Sequence, residues 1–324
     1  MRTMNATRAT TDSTPSISPT AAAPARDWWT PAELLMLGAI WGGSFLFMRI
    51  AAKDFGPLPL VEMRLVAGVA ILMPFLWRAR AHIKRAHWPR FVLIGALNSA
   101  IPFALFAWGA ERAPAGIGAI ANSMTALFAA LVAFVVFGER IGTRRAIALV
   151  VGFIGVIVLA SGRIAGENVT GAAIAGAAGS LCYGFSLNLT RHWLADLPPV
   201  VGVAGTLSCA TLMAAPFAIA TWPATPIPAA SWIAATLLGV LCTGIAYWLF
   251  FRLIQRVGAP RASTTTYLVP IFGVAWGWLL LGEQPTWTMI ASAVLILGSV
   301  ILSQREARRI SPLPRAGEVA RKGG

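Results

Sequence analysis

Ten apolar stretches separated by short polar segments dominate the pattern of hydrophobic and polar positions along the chain. Most of them approach the ~20 residues that a helix needs to cross the hydrocarbon core of a bilayer. The joints between them carry Gly or Pro, where helices are expected to stop. The pattern predicts ten transmembrane helices, at Pro31–Ala52, Leu58–Trp77, Phe91–Ala110, Ala115–Phe137, Arg145–Ser161, Gly171–Thr190, Val200–Trp222, Ala230–Arg252, Ala262–Leu281 and Trp287–Ser303.

The pattern occurs twice along the chain. The segment that begins at Phe106 matches the segment that begins at Phe250 without a gap, at an offset of 144 residues. A match of this length at one offset indicates two related halves. We predict a first five-helix repeat over residues 31–161 and a second over residues 170–303. The identities at this offset include Arg112 with Arg256, Phe128 with Phe272, Gly138 with Gly282 and Glu139 with Glu283.

The composition supports a membrane protein. Only 12% of the residues are charged and 57% are hydrophobic, with a mean hydropathy of +0.71. A soluble domain carries roughly a quarter charged residues, so we predict an all-α polytopic membrane protein. Residues 1–30 are rich in Ser, Thr, Ala and Pro and have no apolar core, which predicts a disordered tail. Residues 304–324 are predicted to form a second, basic tail.

The distribution of Lys and Arg predicts the orientation. Most of the 26 cations lie in the two tails and in alternate loops, whereas the remaining loops hold only Lys53, Arg112 and Arg163. Cytoplasmic loops are enriched in Lys and Arg, so both termini are predicted to be cytoplasmic and the net charge of +14 needs no nucleic-acid partner. Because each half has an odd number of helices, the second repeat is predicted to be inverted relative to the first. The loop after the second helix carries five cations and its counterpart, residues 221–228, has none, as this inversion requires.

Polar residues recur at equivalent positions inside the predicted helices. Polar groups in hydrocarbon are costly unless they are satisfied, so recurring ones predict a cavity along the axis that relates the two repeats. Ordinary helix packing through Ser, Thr and Gly stays open for any single position. Asn98 and Ser99, with Pro102, and Ser263–Tyr267, with Pro270, also predict local breaks in the backbone. The predicted substrate-binding set is Trp41, Ser44, Asn98, Ser99, Asn122, Tyr183, Ser186, Thr243, Tyr247 and Thr266.

Three ionisable residues lie inside the first two predicted helices. An ionisable residue within the membrane indicates a functional role by default. Arg49 or Arg64 could attract a substrate carboxylate, and Glu62 is the first candidate for coupling transport to protons. An ion pair among them, or arginines that snorkel to the interface, stays open. We predict that the three residues lie near an outer gate, while Glu139 and Glu283 at helix ends form caps or gate contacts.

The sequence gives no sign of an enzyme, a metal site or a cofactor. No HExxH, GxSxG, Walker loop or acidic metal cluster is present, and the three histidines lie in loops. The cysteines show no metal-binding spacing and are predicted to pack between helices. These residues are Cys182, Cys209 and Cys242, with His82, His87 and His192.

The motifs resemble those of one transporter family. They are WGGSF followed by an arginine in the first helix, an arginine in the second helix, APAGIGAI with FGER, and LGEQ in the second half. Together these motifs are similar to those of the EamA family of the drug/metabolite transporter superfamily. The resemblance covers about Leu34–Ser303, and it departs where Gln284-Pro285 replaces Arg140-Ile141, as the difference in sidedness would require. It implies two five-helix repeats, cytoplasmic termini and a central cavity that opens alternately to each side. The family's basic residues map onto Arg49 and Arg64.

From the residues and the resemblance together we expect a secondary transporter in the inner membrane that exports or exchanges small metabolites, such as amino acids or drug-like compounds. Its partners would be the substrate, the lipid bilayer and, through Glu62, protons. The alternative from another class is a non-transporting membrane sensor or scaffold, although no soluble signalling domain accompanies the helices. The sequence leaves open whether the protein forms a homo-oligomer.

Overall fold

The computed structural model describes residues 29–310, and between these limits all regular structure is helical. The two predicted tails lie mostly outside this range. The first helix already begins at Trp29 and the last continues to Ile310, so the tail predicted from residue 304 starts within a helix.

Ten long helical segments occur within the described part of the chain, one at each predicted position. Nine of them are long and apolar enough to cross a membrane, and the last contains a shorter apolar stretch, Trp287–Ser303. Their bounds are α1 Trp29–Phe55, α2 Pro57–Arg78, α3 His87–Arg112, α4 Ala115–Val135, α5 Thr143–Ala160, α6 Val169–Trp193, α7 Pro199–Ala220, α8 Ala229–Val257, α9 Ser263–Leu281 and α10 Trp287–Ile310.

The outer surface of the bundle is strongly apolar. Leu212, Ile219 and Ile157 expose 75%, 76% and 68% of their surface. Single exposed apolar residues are normal in a soluble protein, but a bundle with many of them on nine apolar helices is suited to lipid contact. The chain is therefore a multi-pass membrane protein.

The helices pack in pairs that mirror one another between the halves. α2 packs against α7 and α5 against α10. α1 packs against α8 and α9, and its counterpart α6 packs against α3 and α4. These contacts of one half thus have counterparts made by the equivalent helices of the other.

Two glycines permit close approach at two of these crossings. A Cβ at Gly42 of α1 would lie 2.6 Å from the Cβ of Phe272 on α9. A Cβ at Gly184 of α6 would lie 2.8 Å from the carbonyl carbon of Phe128 on α4. Helices in lipid associate largely through close packing, and small residues allow their backbones to approach. These glycines, which stand at equivalent positions of the two halves, therefore set the distance between the crossing helices.

The repeated Gly-Glu pairs end α4 and α9 in the same way. Gly138 and Gly282 have φ angles of 68° and 69°, a left-handed conformation that glycine adopts without a Cβ clash. The amide of the following glutamate then donates back to a carbonyl six residues earlier, which satisfies a carbonyl group of the last part of the helix. These two bonds are Glu139 N to Ala133 O at 3.0 Å and Glu283 N to Gly277 O at 3.1 Å. The predicted capping role of the motif is thus visible in its backbone.

Four helices depart from regular α geometry near the centre of the bundle. α3 has a π-helical segment at Ala96–Ala100, and α8 has one at the equivalent position, Val240–Ile245. α4 is interrupted by a turn at residues 123–124, and α9 begins as a 3-10 helix at Ser263–Tyr267. π-helical segments occur frequently at functional sites, and irregular backbone at membrane depth is tolerated where it lines a cavity. The breaks predicted in α3 and α9 coincide with two of these segments.

Candidate functional site

A cavity of about 370 Å³ lies between the two halves. Side chains from α1, α2, α3, α4, α6, α8, α9 and α10 line it, so its wall includes the four irregular helices. Seven of the ten predicted substrate-binding residues lie in this wall: Trp41, Ser44, Asn98, Asn122, Tyr183, Tyr247 and Thr266.

The other three predicted residues are fully buried behind the wall. The hydroxyl of Ser186 donates to Oδ1 of Asn98 at 3.1 Å, which orients that amide in the cavity. The hydroxyl of Thr243 accepts a hydrogen bond of 2.9 Å from Nε of Arg64 and donates to the carbonyl of Leu238. The hydroxyl of Ser99 is buried and has no hydrogen-bond partner among the described residues. Ser186 and Thr243 therefore support residues of the wall and do not line it.

Aromatic rings cover much of the wall. The ring of Trp41 lies 5.1 Å from that of Phe250, measured between centroids, and Phe106 stacks on Tyr183 at 6.0 Å. Phe45, Phe106 and Phe250 also line the cavity, although the recurring polar residues do not predict them. The spacing of Trp41, Phe45 and Met48 is the signal that could have found Phe45, because residues three or four apart lie on one face of a helix. The cavity therefore suits a ligand with an apolar body.

Arg64 lies in the cavity wall, although the sequence had grouped it with Arg49 near an outer gate. Its side chain is 8% exposed, and the guanidinium carbon lies 3.6 Å from the centroid of the Phe103 ring. Besides the bond to Thr243, its Nη1 contacts the sulfur of Met48 at 3.9 Å. No ion pair joins Arg64 to a carboxylate within the described range, and it is the only charged residue among those that line the cavity.

Arg49 lies in a different environment at the end of α1. Its guanidinium forms ion pairs with Glu167, just before α6, and with Oε1 of Glu283 at 3.0 Å. Its Nη1 also donates to the carbonyls of Ala110 and Glu111 at 3.0 and 3.2 Å. We call these four groups, with Arg49, the Arg49 cluster. It joins α1, α3 and α9 to the start of α6 in one buried network.

Glu283 extends the Arg49 cluster to a further helix. Its Oε2 accepts a hydrogen bond of 2.9 Å from the amide of Ala115, the first residue of α4. A carboxylate at a helix N-terminus satisfies a free amide and interacts favourably with the helix dipole. The carboxylate predicted as a cap or gate contact therefore caps the start of α4 and pairs with Arg49.

The equivalent residues in the other half form a much more exposed contact. Arg191, at the end of α6, pairs with Glu139, at the end of α4. Arg191 is 59% exposed and Glu139 36%, compared with 8% and 14% for Arg49 and Glu283. The two ends of the molecule thus have an Arg–Glu pair at equivalent positions. The pair is mostly buried at the Arg49 end and exposed at the Arg191 end.

Glu62 takes part in neither the cavity nor the Arg49 cluster. Its side chain is partly buried, and its Oε2 atom has no hydrogen-bond partner among the described residues. The carboxylates that pair with Arg49 are Glu167 and Glu283, so the possible ion pair of Glu62 with Arg49 or Arg64 is not formed. The described residues contain no group of three or more His, Cys, Asp or Glu side chains that could hold a metal ion.

Comparisons with known proteins agree with this architecture. The model of the EamA-like transporter family matches residues 30–161 and again residues 170–304. Protein PecM of Dickeya dadantii (strain 3937) is 25% identical over 291 residues, which cover 86% of this chain and 94% of that protein. A protein named "Probable amino-acid metabolite efflux pump" from Escherichia coli (strain K12) is 25% identical over 293 residues, covering 83% of this chain and 92% of its own length.

A solved crystal structure shares the fold. It aligns with a TM-score of 0.60 at 20% sequence identity and covers 87% of this chain and 99% of its own. The family model matches most of the described residues, and nine of the helices are long and apolar enough to cross a membrane. The chain is a multi-pass membrane transporter that belongs to the EamA-like transporter family.

Proposed function

We propose that this protein is a secondary transporter that moves small metabolites, such as amino acids or drug-like compounds, outward across the inner membrane by alternating access. The observation that carries the proposal is the large cavity between the two halves, whose wall contains equivalent residues from both. Asn122 of α4 and Thr266 of α9 form one such pair, and Trp41 of α1 and Tyr183 of α6 form another. Its volume of about 370 Å³ lies in the range of small-molecule sites.

The proposed architecture consists of two inverted five-helix repeats, residues 31–161 and 170–303, with both termini in the cytoplasm. The mirrored packing of helices between the halves and the separate family matches to each half support it. In this arrangement α1 runs outward and α6 runs inward. Arg49 then lies at the periplasmic end of the molecule and Arg191 at the cytoplasmic end.

The two ends provide the proposed gates. The buried Arg49 cluster joins four helices and would close the periplasmic side, whereas the exposed Arg191–Glu139 pair leaves the cytoplasmic side looser. Rocking of the repeats would open the first contact and bury the second. Inverted repeats that alternate around a fixed midplane site are a common transporter plan.

The proposed substrates follow from the cavity and from the relatives. The wall combines aromatic rings with amide and hydroxyl groups, which suits small amphipathic molecules. The relative named as an amino-acid metabolite efflux pump supports amino-acid-like substrates and outward transport. Protons are the proposed coupling ion, with Glu62 as their carrier, because one of its oxygens is buried without a partner.

Flux in reconstituted vesicles tests the proposal. The solutes tested would be radiolabelled amino acids and related metabolites. For at least one of them, uptake should saturate as its external concentration rises, and uptake should be faster when the vesicles are preloaded with the same solute. Asn122→Leu and Thr266→Leu should each abolish that flux while leaving membrane insertion intact, because both place apolar groups in the cavity wall. Leu212→Ala, on the outer surface, is the control and should transport normally. Absence of flux for every solute would favour a non-transporting scaffold.

A further inference from the structure

The cavity contains one cation that the protein does not neutralise. Arg64 is 8% exposed on a membrane-spanning helix, and its contacts are a hydroxyl, a thioether and an aromatic ring. An unpaired buried charge is costly, and ionisable residues inside the membrane face cavities or partners. None of the described residues that line the cavity is an Asp or a Glu. The positive charge is therefore available to a ligand.

The guanidinium also has free hydrogen-bond donors. Arginine carries five N–H donors in a planar fork. Nε of Arg64 uses one on Thr243, and Nη1 makes a long contact with the sulfur of Met48. Nη2 donates to no described residue. A carboxylate is planar and matches the fork of an arginine with two parallel hydrogen bonds.

The surroundings hold this group in one orientation. The π-helical segment of α8 brings Thr243 against α2, where its Cγ2 lies 2.8 Å from the position a Cβ would take on Gly68. Thr243 then accepts from Arg64, while the ring of Phe103 packs against the face of the guanidinium. Thr243 thus occupies one edge of the guanidinium and Phe103 one of its faces. The other edge of the guanidinium, which carries Nη2, is left for an anion. Thr243 is thus a positioning residue for Arg64.

The same wall disfavours a positively charged group. An ammonium would find no carboxylate among the described lining residues and would meet Arg64 as a like charge. On these grounds we infer that the cavity binds organic monoanions, namely carboxylates with an aromatic or branched apolar body, in preference to zwitterions and cations. This inference rests on the proposed function and, among its small metabolites, ranks acids without a free ammonium group above amino acids.

Isothermal titration calorimetry on the full-length protein tests the inference. The protein would be purified in an uncharged detergent, and the heat of binding measured for each probe. Four probes of similar size differ in charge: phenylacetate, phenylacetamide, phenylalanine and phenethylamine. At constant ionic strength the unsubstituted protein should bind phenylacetate most tightly. Arg64→Met should weaken phenylacetate binding by at least about 30-fold and phenylacetamide binding by less than about 3-fold.

Three further variants separate charge from folding. Arg64→Lys keeps the charge without the planar fork and should retain the preference for phenylacetate at reduced affinity. Thr243→Val should weaken phenylacetate binding less than Arg64→Met does, and Thr243→Ser should restore it. Arg144→Met removes an exposed cation outside the cavity and should change nothing.

Two results would overturn the inference. One is equal affinity of the unsubstituted protein for phenylacetate and phenylacetamide, or no binding of phenylacetate at all. The other is unchanged phenylacetate binding in Arg64→Met. Because binding requires no flux, the two proposals fail separately. Arg64-dependent binding without transport would refute the proposed function alone, and transport that is insensitive to Arg64→Met would refute this inference alone.

Discussion

Two arginines of the first two helices are equally buried but differ in what surrounds them. Arg49 and Arg64 are each 8% exposed. Arg49 forms ion pairs with two carboxylates and donates to two carbonyls, whereas within the described part of the chain Arg64 contacts only neutral groups. An arginine that is paired with carboxylates of other helices holds those helices together. An arginine without a carboxylate partner can bind an anionic ligand. Burial alone therefore does not distinguish a structural arginine from a binding one.

The comparison can be extended to the second half. Arg191 is the sequence equivalent of Arg49, and its partner Glu139 is the equivalent of Glu283. Their pair is exposed and stands alone, without the additional carboxylate and carbonyls of the Arg49 cluster. The same residues thus form a closed contact at one end of the molecule and an open one at the other.

The largest expected effect on stability comes from Arg49→Met. This change leaves Glu167 and Glu283 partly buried without a cation, and breaking a buried ion pair costs about 3–5 kcal/mol. The apparent melting temperature in detergent should fall markedly, with Arg49→Lys intermediate. Arg144→Met, an exposed substitution, is the control and should leave it unchanged. A melting temperature equal to that of the unsubstituted protein would show that the Arg49 cluster does not hold the helices together.

Arg64→Met should act in the opposite direction. It replaces a buried cation that has no carboxylate partner among the described residues by an apolar side chain, which removes the cost of burying an uncompensated charge. The same melting measurement should therefore show an unchanged or raised temperature, even though binding of anions is lost. If Arg64→Met destabilised the protein as much as Arg49→Met, the distinction between the two arginines would be wrong.

Loss of the carboxylate should destabilise the protein more at Glu283 than at Glu139. Glu283→Gln removes a carboxylate that bonds both Arg49 and the amide of Ala115, and hydrogen bonds to charged groups contribute about 1.5–3 kcal/mol each. Glu139→Gln removes an exposed partner of Arg191, for which about 0.2–1 kcal/mol is typical. Unfolding titrations of both variants in SDS measure the difference. Equal losses would indicate that both ends are equally closed in solution.

The smallest effect concerns a carboxylate outside the membrane helices. The hydrogen bond from His87 lowers the pKa of Asp196, with a smaller contribution from the charges of His87 and Lys84. A lowered pKa in the folded state adds stability above the unfolded value of about 3.9, and this contribution disappears as the pH falls through the folded pKa. Asp196→Asn should therefore melt slightly below the unsubstituted protein at pH 6, and the gap should close on acidification below about pH 4. A gap that widened with acidification would contradict the assigned direction.

The positions of the helices could be predicted from the sequence because length and hydropathy alone determine which segments can cross a bilayer. The faces of those helices could be predicted only in part. The repeat gives the depth of Ser99 and Thr243 but does not say which face of the helix carries them. Both lie within π-helical segments, which shift the angular phase of a helix. Asn122 and Thr266, which lie beside breaks in α4 and α9, nevertheless line the cavity as predicted.

The partners of the two arginines could not be predicted for a different reason. Glu167 and Glu283 lie 118 and 234 residues from Arg49 along the chain, so only the packed structure reveals them. Arg64 was assigned to a gate because it stands near the start of α2, but its long side chain reaches the cavity. The repeat did provide one correct indication, since the recurrence of Gly-Glu predicted a cap or gate contact at Glu283.

The sidedness of two loops tests the central claim, the inversion of the second repeat, most directly. Arg85→Cys and Thr225→Cys, both at exposed positions, would be introduced separately after Cys182, Cys209 and Cys242 are replaced by Ala. A membrane-impermeant maleimide applied to intact spheroplasts should label position 225 and reach position 85 only after permeabilisation. Labelling of both positions from the same side would contradict the inverted repeats and, with them, the alternating cavity.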